Sequence, residues 1–231
     1  MQDKRDWDKY WSNRTDGGHR DKDESSLREE YLEQCHILGT GMDSLLDFGC
    51  GSAELLSFYS ANASVCYGCD FSESMLARAE KRLMEKKINN VKLIHADLEN
   101  VWEQVPAHID VITCCGVVQY FNESMISFFL DHALERTGKV VLFDVIDRRY
   151  HYLWRTGLYR KVPGNFLHMA LLLARAVYAD IKSFLVHDSL REMGNAFYPD
   201  LFYEYADRQK IACSIVQSRF YPYRYHVVLT R

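Results

Sequence analysis

Three acids and a glycine turn are the residues of this chain best suited to chemistry. Leu45-Leu46-Asp47-Phe48-Gly49-Cys50-Gly51-Ser52-Ala53 runs from an apolar segment into Asp-x-Gly-x-Gly, and Ala53-Glu54-Leu55-Leu56 continues as a helix-like stretch. The pattern predicts a buried strand, a tight turn and a helix start. The glycines let a ligand approach the backbone, and the free N–H groups of the helix start are expected to face it. Asp70 ends a second strand-like run, 19 positions after Gly51. A carboxylate there can accept hydrogen bonds from both hydroxyls of a ribose. Asp97 follows a third run, in His95-Ala96-Asp97-Leu98, where it could meet the exocyclic amine of a base. Carboxylates at the ends of three adjacent strands would line the crevice where doubly wound sheets bind ligands.

Alternating elements must position them. Residues 24–38 read as a helix with Leu27, Tyr31, Leu32, Cys35 and Ile37 as apolar positions, 43–48 as a strand and 52–60 as a helix. A strand over 64–69 leads to Ser72, which can cap a helix over 73–87 with Met75, Leu76, Ala79 and Leu83 on one face. Strands follow at 91–95, 108–114 and 139–144, with a helix at 123–136 between the last two. This alternation argues for a parallel sheet covered by helices on both faces. Residues 148–197 break the pattern as a helical cap insertion. A helix near 199–210 and a closing hairpin of strands, 211–217 and 223–230, complete the chain. Residues 1–40 read as an arm and helix. In the arm Trp7, Tyr10 and Trp11 share one helical face, either to staple it to the core or to lid a pocket.

With these segments in place the chain resembles the class I S-adenosylmethionine-dependent methyltransferases. The turn from Asp47 to Ala53 looks like the first motif of that family, and Tyr67 to Leu76 is very similar to the second. His95-Ala96-Asp97 looks like the third, Asp110 to Phe121 the fourth and Gly138 to Asp144 the fifth, so the resemblance covers residues 43–145. It implies an α/β, Rossmann-like, doubly wound sheet of seven strands, mostly parallel with the last antiparallel. It also implies S-adenosyl-L-methionine as cofactor. Asp70 would then hold the ribose hydroxyls, Asp97 the adenine amine, and the Leu98 N–H the adenine ring. Gly49 and Gly51 would pass beside the methionine portion. Asp47 would orient the ammonium, with the carbonyl of Cys114 or Cys115 accepting from it. Cys50, Phe71 and Met75, within the first two motifs, complete the expected cofactor set. The electrostatics agree: a dinucleotide brings a pyrophosphate anion, which Asp47 would repel, and Ala53 stands near where dinucleotide sites show a third glycine.

Methyl transfer from a sulfonium needs alignment and, for an oxygen or ammonium acceptor, a base. Gln119, Tyr120 and Asn122 follow the fourth strand, and Asp144 and Asp147 follow the fifth. His151, His168 and His187 fall in the insertion and His226 in the last strand. His151 and Tyr120 are the catalytic candidates. Between Arg148 and Arg175 stand six basic residues (Arg148, Arg149, Arg155, Arg160, Lys161, Arg175) and no acid, with Tyr150, Tyr152, Trp154 and Tyr159 interleaved. This is either a solvated face with snorkelling arginines or a substrate cap that meets an anion, such as a phosphorylated sugar or nucleotide-sugar. Gln119, Arg148, Arg149 and Arg155 are the candidate acceptor-binding residues. The apolar run from Phe166 to Tyr178 fits a cap helix, a dimer contact or an interfacial helix touching a lipid-linked substrate.

The remaining bounds are broad. At 231 residues, with 48% hydrophobic and 26% charged residues, the chain suits one domain. Its net charge of −4 argues against a general nucleic-acid binder. The charged start and the lack of a spanning apolar run predict a cytoplasmic protein, monomer or homodimer. Seven cysteines, including Cys66-x-x-Cys69 along a strand, read as reduced core thiols, with no metal site expected. The function these features support is methyl transfer to oxygen or nitrogen of a small molecule, with a sugar or anionic glycan precursor as candidate acceptor. An RNA or protein methyltransferase, a non-catalytic nucleotide-binding protein of the same fold and a nicotinamide-dependent oxidoreductase are the alternatives.

Overall fold

The computed structural model describes residues 24–150, residue 174 and residues 194–231. Helix α1 (Glu24–Leu38) leads into β1 (Met42–Phe48), the short α2 (Leu56–Tyr59) and β2 (Ala63–Asp70). Then come α3 (Glu73–Glu85), β3 (Val91–His95), β4 (Val111–Cys115), α4 (Glu123–Arg136) and β5 (Lys139–Ile146). Helix α5 (Asp200–Gln209), β6 (Ala212–Gln217) and β7 (Arg224–Thr230) close the chain. The strands form one seven-stranded sheet in the order β3-β2-β1-β4-β5-β7-β6. Strands β1 to β5 run parallel, while β7 runs antiparallel to both β5 and β6.

Parallel strands are buried on both faces, which explains their unbroken apolar runs. In β5, Val140 and Leu142 face one side, where Phe129, Leu130 and Ala133 of α4 and Phe202 of α5 pack. Val141 and Phe143 face the other, against Leu38, Leu56, Tyr59, Ala79 and Leu83 of α1, α2 and α3. The order of connection reverses between β1 and β4, and ligands of such sheets bind outside the carboxyl ends at that point. Asp47 and Asp70, near the ends of the neighbours β1 and β2, therefore stand beside the natural crevice.

Several boundaries differ from expectation, each for a local reason. The helix expected over 52–60 shrinks to Leu56–Tyr59 with a 3₁₀ turn at Ser60–Asn62. Ala53 takes a left-handed φ of 58°, which delays the helix. Strand β4 starts at Val111 rather than His108. Before it, the Asp110 carboxylate accepts from the N–H groups of Asp43 and Ser44 at 2.7 and 2.9 Å, tying the entry of β4 to β1. Ser72 sits at the N-cap of α3, but its hydroxyl makes no capping bond and instead meets Ser74 Oγ at 3.0 Å. Helix α4 is capped as its sequence suggests: Asn122 Oδ1 accepts from Met125 N at 2.9 Å. Strand β5 extends to Ile146 with a bulge between Leu142 and Val145. The arm at 1–23 and most of the cap insertion, including His168 and His187, lie outside the described residues.

Phe129, 1% exposed, joins the rings of Phe48, Trp102 and Phe121 beneath the crevice. Phe129→Ala is expected to cost about 3–5 kcal/mol of unfolding free energy, read by urea denaturation.

Candidate active site

The crevice is built by a turn that consumes its own donors. After Phe48 the backbone takes left-handed φ values of 75° at Gly49 and 54° at Gly51. A Cβ on Gly49 would lie 2.3 Å from Val117 Cγ2, so only glycine lets the loop after β4 seat against the turn. The N–H groups of Gly49 and Cys50 both donate to the Cys69 carbonyl, at 2.7 and 2.9 Å. Gly51 N donates to Asp70 Oδ2 at 2.8 Å, and Ser72 N donates to Asp70 Oδ1 at 2.9 Å. The expected row of free N–H groups facing a ligand is therefore not formed at Gly49, Cys50 and Gly51. These donors stitch β1 to β2, and α2 with its four residues is too short to aim a dipole at an anion.

What the crevice presents is a pair of buried acids. Asp47 is 1% exposed, and its Oδ1 has no hydrogen-bond partner among the described residues. Burial, and then the charge of Asp70, push its carboxyl from 3.8 up to about 8. Asp70 is also raised by burial, against the pull of the N–H groups it accepts from. Thr113, opposite Asp47 across β1 and β4, is buried, and neither its Oγ1 nor the Oγ of buried Ser52 has a partner among the described residues. A buried acid without a counter-charge is costly alone and is relieved by a cation placed against it. A ligand bearing ammonium and sulfonium charges fits this donor set; a pyrophosphate does not.

The other expected cofactor residues gather around this centre. Met75 flanks the turn, its methyl 3.8 Å from where a Gly51 Cβ would stand. Asp70 pairs with His95 across β2 and β3, which puts Asp97 on the same sheet edge. Asp97 Oδ1 accepts from Glu99 N and Asn100 N at 2.9 and 3.1 Å, so it also caps its own turn. Leu98 is half-buried against the core. Phe71 is half-buried, and its carbonyl meets His95 Nε2 at 2.9 Å. Cys50 and Cys114 are buried, with thiols pushed up by burial; Cys66 is pushed up to about 12, and all seven cysteines are free. The thiols of Cys50, Cys66 and Cys114 are thus protonated and inert.

Beyond the turn, the loop after β4 meets the roots of the insertion. Gln119 and Tyr120 lie on a 3₁₀ turn, Val118–Tyr120, with Gln119 buried and Tyr120 half-buried. Arg149 forks onto the fully buried carboxylate of Asp147, Nε and Nη2 lying 3.0 and 2.7 Å from its two oxygens. Asp147, considered as a base from sequence, is thus committed to holding an arginine. Arg148 stacks over Tyr198 from the far root, 5.4 Å from the ring centre. His151 and Arg155 lie outside the described residues.

Sequence reasoning missed the device at Asp144. Its φ is 59°, and the bulge leaves it and Phe143 opposite His226. His226 Nδ1 accepts from Asp144 N at 3.1 Å, and Arg224 Nη1 donates to the Asp144 carbonyl at 3.0 Å. With Nδ1 occupied as an acceptor and the ring 1% exposed, His226 serves as a backbone clamp rather than a base. Gln34 of α1 then links Tyr59 to Asp144, at 2.8 and 3.2 Å. Residues this distant in sequence carry no local signal.

The fold and site together define a Rossmann-like domain with an acidic crevice suited to a positively charged nucleoside. Residues 46–139, the stretch that holds the glycine turn, Asp47, Asp70 and Asp97, match the family described as "Methyltransferase domain". Among curated proteins it is similar to a ubiquinone biosynthesis O-methyltransferase of Pseudomonas syringae pv. tomato, 25% identical over 127 residues, 54% of this chain and 53% of that protein. An uncharacterized protein of Haemophilus influenzae is 37% identical over 81 residues, 34% of this chain and 32% of that one. The chain thus spans about half the length of the curated relatives it matches. Among solved structures, an S-adenosylmethionine-dependent methyltransferase of Clostridium acetobutylicum shares the fold with TM-score 0.60 at 12% identity, over 91% of this chain and 92% of that one. Magnesium protoporphyrin IX methyltransferase of Synechocystis with bound SAH does so with TM-score 0.58 at 14% identity, over 93% and 90%.

Two outcomes follow for the cofactor. Unfolded Asp47 ionises near 3.8 and folded Asp47 near 8, so the cofactor-free fold loses stability as pH rises between those values. A cationic cofactor favours the ionised form, so its affinity is expected to rise with pH and level off above about 8. Binding curves from pH 6 to 9 check this, and Asp47→Asn should flatten both trends. Asp70→Ala should weaken the cofactor by about 2–3 kcal/mol, measured by equilibrium titration, since it removes a charged hydrogen-bond acceptor.

Proposed function

We propose that this chain transfers a methyl group from S-adenosylmethionine to an oxygen or nitrogen of a small molecule that carries an anionic group. The observation that carries the cofactor half is the buried Asp47 carboxylate beside Asp70, its Oδ1 without a partner among the described residues, at a turn where the N–H groups of Gly49, Cys50 and Gly51 are already spent. When bound, the cofactor supplies an activated methyl group on a sulfonium, ready for in-line displacement. Asp47 holds its ammonium, Asp70 accepts from the ribose hydroxyls, and Asp97 reads the adenine amine. The packing of Val117 on Gly49 fixes the loop that leads from this pocket to Gln119 and Tyr120.

The acceptor must lie at the other end of that loop, where alignment does most of the catalytic work. As its oxygen or nitrogen forms the new bond to carbon, the carbon–sulfur pair goes to sulfur and the acceptor proton goes to a base. Tyr120 and His151 are the residues proposed for that proton. Arg149, braced by Asp147, and Arg148, stacked on Tyr198, present guanidinium groups at the insertion roots, and Arg155 extends the basic run. Such planar, always charged groups suit a carboxylate or phosphate. The O-methyltransferase relatives favour an oxygen acceptor, and a phosphorylated sugar or glycan precursor is one acceptor of this class.

Incubation with radiolabelled S-adenosylmethionine and a panel of hexose phosphates and phenolic carboxylates tests the reading. Label is expected on at least one anionic acceptor. Replacing Arg148, Arg149 and Arg155 together by alanine should raise its KM about tenfold or more and leave the affinity for S-adenosylhomocysteine unchanged. Equal loss of both would make the arginines structural, and labelling of neutral acceptors alone would remove the anionic requirement.

A further inference from the structure

Gln119 is 6% exposed, yet its Oε1 has no hydrogen-bond partner among the described residues. The backbone and Cβ that carry this amide are held by the insertion root. Asn195 N donates to the Gln119 carbonyl at 2.6 Å, and Asn195 Nδ2 donates to the Phe121 carbonyl at 2.7 Å. Gly194 lies so close that a Cβ there would be 2.9 Å from both Gln119 Cβ and Gln119 O, and its φ of 68° is left-handed. The return root of the insertion therefore grips the loop after β4 through a glycine that no other residue could replace without displacing Gln119. Two residues earlier the same loop is pressed onto the glycine turn by Val117. Gln119 thus stands between the cofactor turn and the insertion root.

A buried amide oxygen left without a donor costs free energy in the folded protein, and such groups in native structures are met by a ligand, water or ion. We infer that Gln119 is the specificity-determining residue of the acceptor pocket: its amide oxygen accepts a hydrogen bond from a neutral hydroxyl or amine of the acceptor, with Gly194 and Asn195 as the clamp that aims it. This rests on the proposed methyl transfer and adds a requirement to it. The acceptor carries a proton-bearing oxygen or nitrogen within reach of Gln119, separate from the anionic group that Arg148 and Arg149 meet. A site built to pair with a hydroxyl discriminates strongly against analogues that lack it, because the buried partner is then unsatisfied.

The test uses the full chain saturated with S-adenosylhomocysteine and two probes, catechol as a neutral hydroxyl donor and inorganic phosphate as an anion, with binding followed by ligand-observed NMR. Gln119→Met is expected to weaken catechol about tenfold and leave phosphate unchanged. Gly194→Ala should reproduce that loss while S-adenosylhomocysteine still binds, and it decides the matter if Gln119→Met fails to fold. Replacing Arg148 and Arg149 by alanine should show the opposite pattern, with phosphate lost and catechol kept. Equal catechol binding by Gln119→Met and the unmodified protein, or no catechol binding by the unmodified complex, would overturn the inference. Absence of phosphate binding alone would count against the arginine reading and leave Gln119 standing.

Discussion

The carboxylate of Asp70 holds the site together. One oxygen takes the N–H of Gly51 in the turn after β1, and the other takes the N–H of Ser72 at the start of α3. A single side chain thus ties together the exit of one strand, the end of the next and the helix that follows. Buried hydrogen bonds to a charged acceptor contribute more than neutral ones, and each also satisfies a backbone donor that would otherwise be orphaned. The oxygens of a carboxylate have lone pairs beyond those two bonds. The group that organises the turn therefore retains capacity for ribose hydroxyls.

The electrostatic character of the crevice follows from that stitching. Because Gly49, Cys50 and Gly51 spend their N–H groups internally, none of the three offsets Asp47, and the low-dielectric interior holds two acids near each other. Both are raised, Asp47 to about 8. Dinucleotide sites on related sheets do the reverse, with donors exposed and pyrophosphate bound. At the insertion roots, the proposed acceptor end, basic groups replace acids. Arginines braced by a buried acid and a tyrosine face the insertion roots, so the two halves of the proposed reaction meet groups of opposite charge.

The placement of the three acids was readable in sequence because each sits at or just beyond the end of a strand. Asp47, Asp70 and Asp97 needed only the strand periodicity and the glycine turn to be placed on one edge, and α1, β3 and α4 have the bounds their patterns predict. What the pattern could not show was hydrogen-bond use. The turn donors looked free, Ser72 looked like a side-chain cap, and His226 looked like a candidate base. All three depend on partners brought by tertiary contacts, such as Asp70 for Gly51 and the β5 bulge for His226. The clamp of Gly194 and Asn195 on Gln119 likewise joins segments with no shared periodicity. His151 and Arg155 lie outside the described residues and keep only their sequence rationale.

The paired acids Asp47 and Asp70 suit a cationic adenosine cofactor over a dinucleotide. Calorimetric titration of the full chain with S-adenosylhomocysteine and, separately, with NAD tests it most directly. The expected result is one saturable site for S-adenosylhomocysteine and no measurable heat with NAD. Binding of NAD with no response to the sulfur nucleoside would contradict it.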